Sequence, residues 1–165
     1  MLPVASRGAM QVSGIEVDEK SYRYGRDRYK HPKLELLFMD IASMVDNTNW
    51  TGSFDFIYCS NVMEHIADYR VALIAVKKLL APGGLYLQIT PPSGQARGNP
   101  YHVTNYTVPE WREILKGFFD SQRYFAHIPL RERDDTNNEF DFRFEECGAM
   151  DIGRLKSISG MIMCQ

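Results

Sequence analysis

The sequence has no apolar run long enough to cross a bilayer, and no long apolar core near its start of the kind a secretory signal carries. Membrane insertion is not expected, and the expected compartment is the cytoplasm. No Lys/Arg run extends beyond a pair, and 19 basic residues stand against 21 acidic ones, so the footprint of a dedicated nucleic-acid binder is missing. Cysteine is scarce: Cys59, Cys147 and Cys164 are odd in number and show no CxxC spacing, which speaks against a disulfide framework and a cysteine zinc site. Small buried apolar side chains are the expectation for all three. No G-x-G-x-x-G occurs, which removes the phosphate-binding turn that a nicotinamide dehydrogenase needs. Neither an internal repeat nor a low-complexity tract is present.

What the sequence does have is the length, 165 residues, and the apolar and charged fractions, 44% and 24%, of one ordinary domain with a sizeable core. It is organised around the stretch from Phe54 to Pro92. Phe54 to Cys59 and Leu85 to Thr90 are too short for buried helices and rich in aromatic and β-branched residues, so both are read as strands, paired in parallel. Between them Asp68 is placed to cap a helix whose apolar face is Ile66, Leu73, Ile74, Val76 and Leu80. Lys77 and Lys78 suit its C-terminal dipole, and Pro82, Gly83 and Gly84 stop it. Ligands of such a crossover unit lie at the carboxyl ends of the strands, here residues 60 to 65 and 90 to 92.

Before this unit, Leu2 to Ala5 reads as the tail of a helix. Gln11 to Val17 is a strand with Glu16 near its end, Glu19 to Tyr29 a helical segment ended by His31 and Pro32, and Leu34 to Met39 a strand covered on both faces, followed at once by Asp40. Asn47 to Ser53 is a turn-rich linker. After it, residues 93 to 106 form a loop leaving the ligand edge of the sheet. Thr107, Pro109 and Glu110 spell a capping box with proline in the first turn, and Trp111, Ile114, Leu115 and Phe118 recur at the helical period and pack inward. Tyr124 to Leu130 and Ile158 to Cys164 are the last strands. Phe140, Phe142 and Phe144 alternate with charged residues, as in a strand packed on its own core, a substrate lid or the surface of a homodimer. Strands alternating with helices, then a hairpin-like pair, give a three-layer α/β sandwich.

Five pieces in this order carry a resemblance: GlyIleGluValAsp at 14 to 18, AspIle at 40 to 41, the stretch 54 to 66 with SerAsnValMetGluHis, LeuLeuAlaProGlyGlyLeu at 79 to 85, and 99 to 111 with ProTyrHisValThrAsnTyrThrValProGluTrp. Together, over roughly residues 5 to 120, they resemble the class I S-adenosylmethionine-dependent methyltransferases, in particular the type 11 group. That resemblance implies a Rossmann-like fold with a mostly parallel sheet, S-adenosylmethionine as cofactor and a small-molecule, glycan or lipid-precursor acceptor. Glu16 matches the carboxylate that takes the two ribose hydroxyls, the alternative being a solvated strand-end charge. Asp40 matches the position that meets the adenine amino group, or else caps a helix, and Ile41 matches the apolar wall beside the ring. Ser60, Asn61 and Val62 match the lining of the methionine arm, or else cap the loop backbone.

At the cleft mouth, Glu64 and His65 are suited to orient a substrate hydroxyl, take its proton, hold a metal together with His102, or simply make helix-start hydrogen bonds. His65 and His102 are taken as the acid/base candidates, Glu64 and Tyr101 as substrate-side residues, and no metal ligands are assigned. His31 and His127 belong to no motif. The resemblance also implies a first strand with a glycine-rich turn, central in the strand order 3-2-1-4-5-7-6. Only 15 residues precede Glu16, and residues 6 to 10 supply one glycine out of place. The expectation is therefore a single methyltransferase-like domain incomplete at its N-terminus, either a truncated enzyme or a non-catalytic scaffold or regulatory protein.

Overall fold

The computed structural model describes residues 7–46, 48–91, 99–129, 142–148 and 160–165. The expected helix tail at Leu2 to Ala5, residues 92–98 of the chain after Thr90, and Phe140 lie outside them. The chain forms two compact units, Met1–Thr48 and Asn49–Gln165.

In the first unit, strand β1 (Val12–Glu16) and strand β2 (Leu34–Phe38) pair in parallel, from Val12 opposite Leu34 to Glu16 opposite Phe38. Helix α1 (Glu19–Arg28) connects them. Asp18 begins that helix by accepting the Ser21 N–H at 2.7 Å, a cap that satisfies one of the donors a helix start leaves free. No side chain of α1 is buried. The helix packs closely on β2 at Gly25, where a Cβ would sit 2.9 Å from Leu36 Cδ2. The expectation that β2 is covered on both faces does not hold throughout: Phe38 is 52% exposed, touching Tyr22 of α1 at 5.4 Å between ring centroids.

The second unit starts with strand β3 (Phe54–Ser60), helix α2 (Tyr69–Leu79) and strand β4 (Leu80–Thr90), with β3 and β4 parallel as expected. Asp68 caps α2 through Val71 N–H at 3.4 Å. The buried face of α2, however, is Ala72, Leu73, Ala75, Val76 and Leu79, whereas Ile74 is 49% exposed and Leu80 opens the next strand. The two small alanines let the helix lie close, and Ile74 falls about 100° round from Leu73 at the helical period, off that face. Pro82, Gly83 and Gly84 do not end the helix either, since Leu80 is already extended. They occupy a bulge in β4, where Phe54 opposes Leu80 but Phe56 opposes Leu85. A Cβ on Gly84 would meet the carbonyl oxygens of Ala81 at 2.9 Å and Phe54 at 3.0 Å, so the bulge needs glycine there.

Helix α3 (Val108–Lys116) opens on the expected capping box: Thr107 Oγ1 accepts Glu110 N–H at 3.3 Å, and Glu110 Oε2 accepts Thr107 N–H at 2.6 Å. The Thr107 backbone bond, ahead of the side-chain one, holds the Glu110 carboxyl below its usual range. Replacing Thr107 by alanine removes one of these bonds and is expected to cost about 1 kcal/mol of stability, read from the midpoint of a urea unfolding curve; an unmoved midpoint would show that the cap contributes nothing. Trp111 and Leu115 point inward as expected, but Phe119 rather than Phe118 is buried, stacked on Tyr86 at 5.6 Å.

Strands β5 (Gln122–Pro129), β6 (Phe142–Cys147) and β7 (Gly160–Cys164) complete a five-stranded sheet in the order β3-β4-β7-β5-β6. β7 is antiparallel to both β4 and β5, and β6 is antiparallel to β5. Thus β3, β4 and β5 run one way and β6 and β7 the other, in an α/β fold with a mixed sheet. No described helix is long and apolar enough to cross a membrane.

Candidate active site

Beyond the carboxyl end of β3 the chain turns sharply. Asn61 takes a positive φ of 51° and its N–H is held by Ile89 O at 3.0 Å. Asparagine tolerates this left-handed conformation, which most side chains avoid, and such residues gather at functional turns. One short 3-10 turn, Met63–His65, follows. The turn turns Met63 and Glu64 inward and leaves His65 exposed.

The segment Asn99 to Thr104 is laced to that turn. Glu64 O accepts both Val103 N–H at 2.9 Å and Thr104 N–H at 3.1 Å, and Thr104 Oγ1 donates to Met63 O at 3.1 Å. His65 Nδ1 lies 3.0 Å from Tyr101 O. A carbonyl only accepts, so Nδ1 carries the proton in the neutral ring and Nε2 keeps a free lone pair. His102 Nε2 lies 3.0 Å from Asn99 Nδ2, while Asn99 Oδ1 accepts Tyr101 N–H at 3.0 Å. The two imidazoles meet edge to face at 4.7 Å. Glu64 is only 2% exposed, and neither of its carboxylate oxygens, nor His102 Nδ1, has a hydrogen-bond partner. One ligand atom from each of Glu64, His65 and His102 lies within 4.8 Å of the others.

The fold thus brings three sequence candidates together. Tyr101 contributes its backbone carbonyl; its side chain is 75% exposed. Ser60, Asn61 and Val62 form the turn itself, with Asn61 and Val62 exposed. In the first unit, Glu16 Oε1 accepts Val17 N–H at 2.9 Å and Asp18 N–H at 3.0 Å, and Glu16 O accepts Met39 N–H at 3.1 Å. Asp40 Oδ1 accepts Ala42 N–H at 2.7 Å and its carbonyl accepts Ser43 Oγ at 2.6 Å. Asp40 therefore starts a 3-10 turn, Ile41–Asp46, in which Ile41 is half-buried. Glu16 and Asp40 stand at the carboxyl ends of neighbouring parallel strands.

Cys59 sits behind the turn. Burial, with the nearby Glu64 charge adding to it, pushes its thiol up to about 11, although Tyr86 and Met63 bonds act the other way. Burial likewise raises the Tyr86 hydroxyl well above its usual value while it donates to Gln88 Oε1 at 3.0 Å. All three cysteines are free thiols. Sequence reasoning missed Asn99 and Thr104, which fasten the far segment to the turn. An Asn-Pro pair at 99 to 100 was the available signal, since asparagine side chains commonly bond the backbone two residues on.

Residues 1–87 match the family model described as "Methyltransferase domain". Among curated proteins, a "Ubiquinone biosynthesis O-methyltransferase" of Idiomarina loihiensis is 31% identical over 81 residues, 49% of this chain and 33% of that protein. A "Demethylmenaquinone methyltransferase" of Staphylococcus haemolyticus is 23% identical over 110 residues, 66% of this chain and 40% of that protein. The chain spans between a third and about half the length of the curated relatives it matches. The crystal structure of a SAM-dependent methyltransferase from Archaeoglobus fulgidus superposes with a TM-score of 0.68 at 11% identity, covering 99% of this chain and 79% of that one; at that identity the likeness is one of fold.

Proposed function

Because the chain belongs to the class I S-adenosylmethionine-dependent methyltransferases, we propose that it works as a single methyltransferase-like domain that moves a methyl group from S-adenosylmethionine to an oxygen of a small molecule. Acceptor oxygen is favoured over nitrogen by the ubiquinone-type relative, which is named an O-methyltransferase. When bound, the cofactor supplies an electrophilic methyl carbon on a sulfonium.

The residues present fit that group. Glu16 and Asp40 use one oxygen each in local caps, so each keeps a second oxygen to accept from ribose hydroxyls and an adenine amino group respectively. By the family resemblance, Ile41 in the first unit would offer an apolar wall, and Ser60, Asn61 and Val62 in the second would line the methionine arm. On the acceptor side, His65 Nε2 orients the hydroxyl and takes the proton that an alcohol or phenol must lose as its oxygen gains the methyl. The exposed Tyr101 ring lies against the acceptor as the segment at 99 to 104 helps exclude water, with Glu64 buried within reach of both imidazoles. The observation that carries this reading is the convergence of a buried, unpartnered carboxylate and two histidines beyond the carboxyl end of β3.

Calorimetric titration of the purified chain with S-adenosylmethionine is expected to show saturable binding, weakened about tenfold in Glu16→Ala by loss of charged hydrogen bonds. No heat at millimolar ligand would sink the enzyme reading. A second reading, a non-catalytic scaffold or regulatory protein on a methyltransferase-like fold, draws on one observation: both nucleoside carboxylates already serve as local backbone caps. The same titration separates the two.

A further inference from the structure

Beyond methyl transfer, we propose that Glu64, His65 and His102 form a site for one divalent cation of the zinc, cobalt or manganese kind. One ligand atom from each residue lies within 4.8 Å of the others, close enough for a single ion to reach all three. The Glu64 carboxylate is the second, independent sign. It is 2% exposed with both oxygens unpartnered, and an ionised carboxylate held that way costs several kcal/mol unless an opposite charge compensates it. Among the described residues, the ion pairs of Arg23, Arg26, Arg112, Lys116 and Arg123 go to carboxylates other than Glu64.

The surroundings are those of metal-binding imidazoles, which usually fix one ring nitrogen with an outer partner and present the other to the ion. His65 donates Nδ1–H to the Tyr101 carbonyl, which frees Nε2. His102 is held at Nε2 by Asn99, while its Nδ1 is buried and without a partner. Coordination through Nδ1 moves the ring proton to Nε2, and a half-turn of the Asn99 amide then presents Oδ1 to it, at the expense of the Tyr101 N–H bond.

Two imidazoles and one carboxylate bring a single negative charge and mixed nitrogen and oxygen donors. This set suits zinc, cobalt or manganese better than magnesium, which prefers oxygen throughout. Three protein ligands also leave positions for water or an acceptor oxygen, and a hydroxyl bound there loses its proton more readily. In the loaded state His65 Nε2 is thus a ligand, and its role as base belongs to the metal-free site. Because Asn99 to Thr104 is fastened to the Met63–His65 turn, the ion also ties two distant stretches of chain, and binding to the native state alone raises the melting temperature.

The test uses the full chain, stripped with a chelator and without S-adenosylmethionine, so that failure of the cofactor reading leaves it intact. Titration with Co2+, followed by visible absorption, and with Zn2+, followed by calorimetry, is expected to saturate at one ion per chain. Glu64→Gln, His102→Gln and His65→Gln are each expected to weaken binding tenfold or more, and His31→Gln to leave it unchanged. His65 is exposed, so its replacement does not endanger folding. The proposal is overturned if the parent shows no saturable binding at one ion per chain, or if His65→Gln binds as tightly as the parent.

Discussion

Replacing His65 by glutamine is expected to lower the rate of methyl transfer to an oxygen acceptor by about 10²–10⁴-fold, the usual worth of a positioned general base, with the affinity for S-adenosylmethionine unchanged. Glutamine preserves the approximate size and polarity of the side chain but cannot accept a proton. The effect is specific to one atom, because Nδ1 is committed to the Tyr101 carbonyl at 3.0 Å and only Nε2 is free to act. A cation at the site passes through the same nitrogen, so both roles are lost together. Transfer of labelled methyl to a panel of phenols and polyols, with calorimetry on the same variant, measures the two quantities separately. A rate within threefold of the parent would remove His65 from the chemistry. His102→Gln is the informative companion: Asn99 already occupies its Nε2, so it acts by positioning and should change the rate less.

The largest stability loss is expected from Trp111→Ala, at about 3–5 kcal/mol. Trp111 is 1% exposed and sits where two parts of the second unit meet. Its ring lies 5.4 Å from Tyr69 at the start of α2 and 5.3 Å from Tyr106, both edge to face, while Tyr69 and Tyr106 are themselves 5.4 Å apart. Removing the indole leaves a cavity beside two rings that already meet edge to face, and the two edge-to-face pairs lost add to the area term. For a chain of this length such a loss lowers Tm by about 10 °C. Trp111→Phe keeps an aromatic ring in the cluster and should recover more than half of the loss; equal melting temperatures for the alanine variant and the parent would show that the cluster is incidental. Because Tyr106 lies two residues beyond Thr104, the same cluster anchors one side of the candidate site.

Where local chemistry decides the outcome, the linear chain was legible. Thr107, Pro109 and Glu110 named their own helix start, Asp68 its own cap, and the short aromatic and β-branched runs at Phe54 and Leu85 their own strands, since each signal acts over six residues or fewer. Legibility failed where a side chain's fate rests on what arrives from elsewhere. Ile74 fits a helical apolar pattern as well as Ala75 does, yet only the direction of approach of the sheet decides which is covered. Pro82, Gly83 and Gly84 spell a stop in isolation, but the pairing of Phe54 with Leu80 draws them into the strand as a bulge. The placement of β7 between β4 and β5 joins segments separated by more than 30 residues and leaves no local trace.

The candidate site divides in the same way. The sequence by itself determined which groups stand at strand ends, because a carboxylate or histidine following an apolar run is necessarily delivered to the sheet edge: Glu16, Asp40, Glu64 and His65 follow from that alone. Tertiary structure alone decided their chemistry. It buried Glu64 without a partner, set the proton of His65 through a carbonyl 36 residues away in sequence, and brought His102 to within ring contact of His65. Burial, tautomer and convergence depend on distances between distant segments, and those exist only once the chain has folded.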